Sequence, residues 1–141
     1  MPTSKASATW EGTIAKGRGS MKPEHAGDIA FSLATRFEGA SGSNPEEVVG
    51  AALAGCFSMA LSLGLEKAGM TPQSIRTSAV VHLEKVGDGF AVPRIELTTE
   101  VRASGGDDAT FAAVTEATKK GCPISKLLAA AEITLSAKLV R

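Results

Sequence analysis

Runs of alternating apolar and polar residues occupy much of the chain and predict β-strands. The clearest alternation is at residues 132–140 (EITLSAKLV), where every second residue is apolar. Two longer stretches, residues 74–86 and 90–103, flank Gly87-Asp88-Gly89 and predict a β-hairpin. Three further strands are predicted in the first part of the chain, over residues 7–16, 18–22 and 28–37.

A long apolar run between residues 48 and 65 predicts a helix. Asn44 suits the N-cap and Pro45 suits the first helical position, while Glu47 stands where a capping box places an acidic residue. The helix is expected to run to Ala68 and to end at the following glycine. Because it is apolar nearly all round, most of its surface is predicted to be buried.

Two shorter helices are predicted between the hairpin and the last strand. Asp107 or Asp108 caps the first, which ends near Gly121, and Cys122 with Pro123 begins the second. The resulting order is β-β-β-α-β-β-α-α-β, which indicates an α+β fold with an antiparallel sheet packed on a long buried helix. No repeat or boundary interrupts it, so residues 1–141 are predicted to form a single domain.

Composition and charge exclude several classes of function. Fifteen basic residues balance fifteen acidic ones, which argues against nucleic-acid and anionic-membrane partners, because both require positive charge. The N-terminus lacks an apolar segment of signal-peptide length, and glycines and serines interrupt the apolar helix, so a cytoplasmic protein without a membrane span is expected. Only two histidines occur, with no metal-binding spacing, and no metal site is predicted.

The two cysteines, Cys56 and Cys122, are the main candidates for chemistry. They could be inert core residues, or they could be the two sulfurs of a redox cycle, because a thiol pair in the cytoplasm is more often transient and catalytic. A peroxide-reducing cysteine requires a neighbouring cation, for which arginine is best suited, and a carboxylate that fixes the arginine. Arg36 and either Glu46 or Glu47 could supply these groups.

Helix geometry adds a constraint on this set. Glu46 and Cys56 are ten residues apart, so about 15 Å separates them along a straight helix. They could meet if the same helix of a second subunit crossed antiparallel near residue 51, where glycine and alanine permit close approach. We therefore predict a two-fold dimer in which the site takes Cys56 from one subunit and Glu46 from the other.

The sequence resembles the OsmC branch of the OsmC/Ohr family of organic hydroperoxide reductases. The resemblance covers nearly the whole chain, and the block around Cys56 together with the block around Cys122 is specific. The matching segments are Thr9–Gly12, Thr35–Gly39, Asn44–Glu47, Ala54–Ser62, Gly121–Ser125 and Glu132–Leu135.

The resemblance implies a role for each candidate residue. Cys56 matches the peroxidatic cysteine, Cys122 the resolving cysteine, Arg36 the arginine that holds the thiolate, and Glu46 the carboxylate that orients the arginine. Arg18 is a minor alternative, because the arginine lies earlier in the chain in the Ohr branch. The resemblance also implies an intertwined homodimer without metal or flavin cofactor. It would reduce organic hydroperoxides through a Cys56–Cys122 disulfide, which a dithiol, for example on a lipoyl-bearing protein, would reopen.

Three apolar side chains, Phe37, Phe57 and Met59, could line a pocket for the alkyl group of such a substrate, although any of them could equally be a core residue. Two alternative functions are a redox sensor whose disulfide is read by a partner, and a binding protein for an apolar or acyl ligand in a groove of the dimer. Glu47 is predicted to be structural, as the capping-box residue of the long helix.

Overall fold

Six strands and four helices follow one another along the chain in the computed structural model, which describes residues 1–141. The elements in order are β1 (Ala6–Glu11), β2 (Arg18–Pro23), β3 (Ile29–Phe31), α1 (Leu33–Phe37), α2 (Pro45–Lys67), β4 (Thr71–Val86), β5 (Gly89–Ser104), α3 (Asp108–Gly121), α4 (Pro123–Leu127) and β6 (Glu132–Val140). The predicted α+β class is confirmed. The chain divides into two compact units, Met1–Val48 and Val49–Arg141, and the division falls inside α2.

The first unit contains an antiparallel sheet in the order β1-β2-β3. Gly19 of β2 lies between Trp10 of β1 and Phe31 of β3, whose rings are 5.7 Å apart. A Cβ at Gly19 would lie 2.5 Å from the Phe31 ring and 2.8 Å from the Trp10 ring. Only glycine therefore allows both aromatic rings to cover this strand.

The strand predicted over residues 28–37 is wrong in its second half. The strand covers only Ile29–Phe31, and a short helix, α1, follows. Ser32 caps this helix in a capping box, because its hydroxyl accepts from Thr35 N and the Thr35 hydroxyl accepts from Ser32 N. The local hydrogen bonds of Ser32 and Thr35 thus end the strand. Arg36 consequently lies on a helix.

The second unit is built on a three-stranded sheet in the order β4-β5-β6. The predicted hairpin is confirmed, with Gly87 at positive φ in its turn and Val86 paired with Gly89. The prediction of an antiparallel sheet is wrong for β6, which pairs with β5 in parallel. The connection from β5 to β6 passes through α3 and α4, and such a crossover is what joins parallel strands.

Burial of α2 is confined to one face, whereas the sequence predicts burial on most of its surface. Leucines and a phenylalanine four residues apart form the buried stripe and are fully inaccessible: Leu53, Phe57, Leu61 and Leu65. They belong to a core cluster with apolar residues of β5 and with Phe111 of α3. On the other side Met59 is 81% exposed and Leu63 is 53% exposed. By length and composition α2 could also cross a membrane, but core helices of soluble proteins have the same properties.

Hydroxyl groups tie α2 to the sheet beside this core. The Ser58 hydroxyl donates to Thr77 Oγ1 at 2.8 Å, and Thr77 Oγ1 is 2.9 Å from Thr99 Oγ1. Thr99 is buried, and its hydroxyl also donates to the Arg76 carbonyl. Because each hydroxyl has a partner, this polar chain can be buried without the cost of an unmade hydrogen bond.

Candidate active site

Cys122 occupies the joint between α3 and α4. Its extended backbone places it at the C-cap of α3 and at the N-cap of α4, and its N–H donates to the Thr118 carbonyl at 3.0 Å. Pro123 follows as the first residue of α4, where its missing N–H is harmless. The side chain of Cys122 is almost completely buried, so the joint holds this sulfur inside the second unit.

Cys56 lies on α2, partly buried, and its thiol reaches the joint. Both cysteines are free thiols. Burial raises the pKa of the Cys56 thiol above its ordinary value. A hydrogen bond from the backbone of Ile124 lowers this pKa, whereas a hydrogen bond and the charge of Cys122 raise it further. The fold therefore brings together two sulfurs that are distant in the sequence, close enough for Cys122 to hydrogen-bond to the Cys56 thiol.

Ser125 contacts the Cys122 sulfur twice. Its hydroxyl oxygen is 2.9 Å from Cys122 Sγ, and its backbone N–H donates to the same sulfur at 3.4 Å. Ser125 is not among the residues that the sequence predicts for the site. The signal that could have indicated one is its spacing, since a side chain at an N-cap is normally bonded by the residue three positions later.

Arg36 and Glu46 form an ion pair within the first unit. Arg36 Nε donates to both carboxylate oxygens of Glu46, at 2.8 and 3.2 Å, and Nη2 donates to Oε1 at 2.5 Å. The Glu46 carboxylate is nearly buried, whereas about a third of the Arg36 side chain is exposed. Glu46 thus fixes the orientation of the guanidinium and leaves part of it accessible.

Glu47, the other acidic candidate, has a different environment. Its backbone N–H donates to Asn44 Oδ1 at 2.8 Å, and its carboxylate accepts from the Ser43 hydroxyl at 2.8 Å. These contacts stabilise the first turn of α2 and do not involve an arginine. Arg18, the minor candidate, is exposed and lies 3.8 Å from Glu11 of the neighbouring strand. The geometry favours the pair Arg36–Glu46 over both alternatives.

The three candidate pocket residues differ in accessibility. Phe57 is fully buried in the core cluster, which corresponds to the packing role that the sequence left open. Phe37 is 42% exposed, with the guanidinium carbon of Arg36 5.2 Å from the centre of its ring. Met59 is the most exposed of the three and follows Cys56 on α2. No cluster of three metal-ligating side chains is present.

Comparison with known proteins places the chain in a family. The family model described as OsmC-like protein matches residues 38–138, a range that contains Glu46 and both cysteines. The chain belongs to the OsmC-like protein family. It is 49% identical over 137 residues to peroxiredoxin OsmC of Escherichia coli K12, covering 96% of this chain and 95% of that protein. It has the same identity and coverage with peroxiredoxin OsmC of Shigella flexneri.

Solved structures of OsmC-like and related proteins have the same fold. An organic hydroperoxide resistance protein from Elizabethkingia anophelis superposes with a TM-score of 0.81 at 22% identity, covering 99% of this chain and 98% of that one. The OsmC-like protein of Mycoplasma pneumoniae gives a TM-score of 0.78 at 15% identity, with 99% of both chains covered. OhrB of Bacillus subtilis gives 0.66 at 24% identity, covering 96% of this chain and 98% of that one. The family model and the two relatives confirm the predicted family, and the solved structures agree with its fold.

Proposed function

We propose that this chain is a two-cysteine thiol peroxidase that reduces organic hydroperoxides to alcohols. The observation that carries the proposal is the approach of two free thiols, Cys56 and Cys122, in a chain 49% identical to a peroxiredoxin OsmC. Similar structures from Elizabethkingia anophelis and Bacillus subtilis are named organic hydroperoxide resistance proteins, which supports an organic hydroperoxide as the substrate class.

The first step takes place at Cys56. Its thiolate attacks the terminal oxygen of the hydroperoxide, the O–O bond breaks, and the alkoxide takes a proton and leaves as the alcohol. Cys56 is oxidised to a sulfenic acid. The greater accessibility of Cys56 supports this order, because Cys122 is 2% exposed.

The second step uses Cys122. Its sulfur bonds to the Cys56 sulfur, the S–O bond of the sulfenic acid breaks, and water is released. The product is a Cys56–Cys122 disulfide, which an external dithiol reopens by thiol–disulfide exchange. A dithiol suits this task because its second thiol displaces the enzyme from the mixed disulfide. Lipoyl-bearing proteins carry such a group, and the cytoplasm is the compartment in which thiol reductants keep the pair cycling.

A homodimer completes the proposed site. The Arg36 guanidinium, held by Glu46, would stabilise the Cys56 thiolate of the other subunit and the developing charge on the peroxide oxygens. The exposed small residues Ala51, Ala52 and Gly55 leave room for a second α2 helix to cross closely. Exposed Met59 and Phe37 are the candidates for contact with the alkyl group, whereas Phe57 is not, since it is buried.

Steady-state reduction of cumene hydroperoxide in the presence of a dithiol tests the function. Wild type is expected to turn over, and Cys56→Ser to be inactive, because the attacking sulfur is lost. Without the dithiol, Cys122→Ser is expected to consume one equivalent of peroxide to give a Cys56 sulfenic acid, or two where Cys56 is over-oxidised to the sulfinic acid, and then to stop, with these products in its mass spectrum. Full activity of Cys56→Ser would exclude the mechanism. A redox sensor, the alternative, would form the disulfide but turn over slowly.

A further inference from the structure

Ser125 is one of the few buried polar residues of the chain, at 4% exposure, and its hydroxyl and its N–H both contact one sulfur. Its hydroxyl is 2.9 Å from Cys122 Sγ, and its N–H is 3.4 Å from the same atom. No other side-chain partner of the Ser125 hydroxyl is present. The sulfur of Cys122 is therefore the side-chain hydrogen-bond partner of the buried Ser125 hydroxyl.

The backbone around Cys122 fixes this arrangement. The N–H of Cys122 is bonded to the Thr118 carbonyl of α3, and the Cys122 carbonyl accepts from Lys126 N at 3.0 Å. Pro123 further restricts the backbone between the two helices. With the backbone held on both sides, the sulfur lies in a defined position between Ser125 and Cys56. The contact is therefore built by the fold rather than by a mobile side chain.

The chemical meaning of the contact depends on the protonation of Cys122. A thiol can donate its hydrogen to the Ser125 hydroxyl or accept from it. A thiolate has no hydrogen, so both contacts must then be donated by Ser125, one from O–H and one from N–H. Hydrogen bonds to a charged group contribute more than those to a neutral group, so the two donors would hold the sulfur most firmly at the steps in which it carries charge.

We propose that Ser125 is a positioning residue for the resolving half of the cycle, in that its hydroxyl and its N–H hold the Cys122 sulfur in the position from which it bonds to the Cys56 sulfur. This inference rests on the function proposed above. The thiol proton leaves Cys122, the thiolate forms the S–S bond with the Cys56 sulfenic acid, and the departing hydroxide takes up a proton to give water. When the reducing dithiol attacks Cys56 of the disulfide, Cys122 leaves as a thiolate, and the Ser125 hydroxyl and N–H donate hydrogen bonds to it.

The experiment separates the resolving step from the peroxide step. Reduced wild type, Ser125→Ala and Ser125→Thr are each mixed with one equivalent of cumene hydroperoxide, quenched at intervals and analysed by mass spectrometry. Peroxide consumption in the same first turnover is recorded separately, so that the rate of disulfide formation is measured against the amount of Cys56 sulfenic acid formed. Disulfide formation in Ser125→Ala is expected to be slower by about tenfold or more at pH 7, the loss typical of a hydrogen bond to a charged group.

Rescue by the conservative variant distinguishes hydrogen bonding to the sulfur from mere packing. Ser125→Thr retains the hydroxyl and should resolve within about twofold of wild type at pH 7. In excess hydroperoxide, Ser125→Ala should accumulate more Cys56 sulfinic acid, because its sulfenic acid persists longer.

Ser58→Ala is the matched control. It also removes one serine hydroxyl bonded at 2.8 Å, but that hydroxyl contacts Thr77 and no sulfur. Its disulfide should form at the wild-type rate. An unchanged rate in Ser125→Ala, or a rate in Ser125→Thr as slow as that in Ser125→Ala, would overturn the inference. Absence of a Cys56–Cys122 disulfide in wild type itself would instead overturn the proposed function.

Discussion

The two sulfurs of the proposed pair lie in different surroundings although each is within reach of the other. Cys122 is buried at a helix joint and bonded by Ser125, whereas Cys56 is more accessible and receives a hydrogen bond from the Ile124 backbone. An accessible sulfur suits attack on a substrate, and a buried sulfur held in place suits capture of the intermediate. The first turn of α4 therefore supplies groups that act on both cysteines.

The influence of Cys122 on Cys56 gives a pH-dependent prediction. The hydrogen bond and charge of Cys122 both raise the pKa of Cys56, in addition to the effect of burial. Cys122→Ala removes these two contributions, so the pKa of Cys56 should fall and its thiolate should form at lower pH. The rate of alkylation of Cys56 by iodoacetamide, measured against pH, should shift toward acid relative to reduced wild type. A profile that does not move, or that moves toward alkaline pH, would contradict this coupling.

At the residue scale the sequence identifies the candidate residues but does not show which contacts they make. Arg36, Glu46 and both cysteines are identified by the family resemblance, and the structure shows Arg36 bonded to Glu46 and Cys56 within reach of Cys122. Ser125 was missed because its role depends on a sulfur acting as the cap of a short helix. Caps are usually oxygen atoms, so the three-residue spacing from Cys122 to Ser125 was the one signal that the sequence offered.

At the scale of elements, the sequence predicts the long patterned segments well, but it misses the short helix α1 and the parallel pairing of β6. The hairpin, α2 and the order of the last three elements are as the sequence predicts. The helix α1 was missed because a single turn has too few residues to show a helical period, and only the capping box of Ser32 and Thr35 marks it. The parallel pairing of β6 is set by the helical crossover, which alternation within one strand cannot reveal.

Burial on α2 was overestimated for a related reason. Apolar residues lie all round the helix, so the pattern contains no polar face to indicate which side is covered. The structure shows that Leu61 is fully buried, whereas Leu63, two residues later, is 53% exposed. Which face packs on the sheet is decided by tertiary contacts such as that between Gly50 and Val81, where a Cβ would come within 3.1 Å.

The one-sided burial of α2 makes a prediction for stability. Leu61→Ala removes a fully buried side chain from the core cluster and should lower the free energy of unfolding by about 2–5 kcal/mol, since the neighbours cannot fill the cavity. The matched control is Leu127→Ala on α4, where the leucine is 74% exposed. It should cost about 0.5 kcal/mol or less. Urea unfolding at one protein concentration measures both, and equal losses would contradict the assignment of the core.

At the scale of the whole molecule, the exposed apolar side of α2 supports the proposed dimer. Large apolar residues such as Met59 and Leu63 are exposed there, together with small residues near the middle of the helix. Exposed apolar surface of this kind commonly marks a protein–protein interface. Gly50, at the predicted crossing, is itself buried against β4, so the exposed alanines beside it would have to form the contact.

Substitution at the predicted crossing tests the dimer. Ala51→Arg places a long charged side chain where two α2 helices are proposed to approach, so it should weaken or abolish dimerisation, and peroxidase activity should fall with it. Ala113→Arg is the matched control, because Ala113 is also an exposed alanine in a helix but lies on α3. Sedimentation velocity should give dimers for wild type and Ala113→Arg. A fully dimeric and active Ala51→Arg would contradict the proposed crossing.

The most direct test of the account is the fate of the two sulfurs in one catalytic turnover. The reduced protein is mixed with one equivalent of an organic hydroperoxide, and its mass and peptide map are recorded. We expect the loss of two hydrogens, located in a bond between Cys56 and Cys122, together with one equivalent of alcohol. A protein that consumes the hydroperoxide without forming this bond, or that leaves both thiols unchanged, would contradict the proposed mechanism.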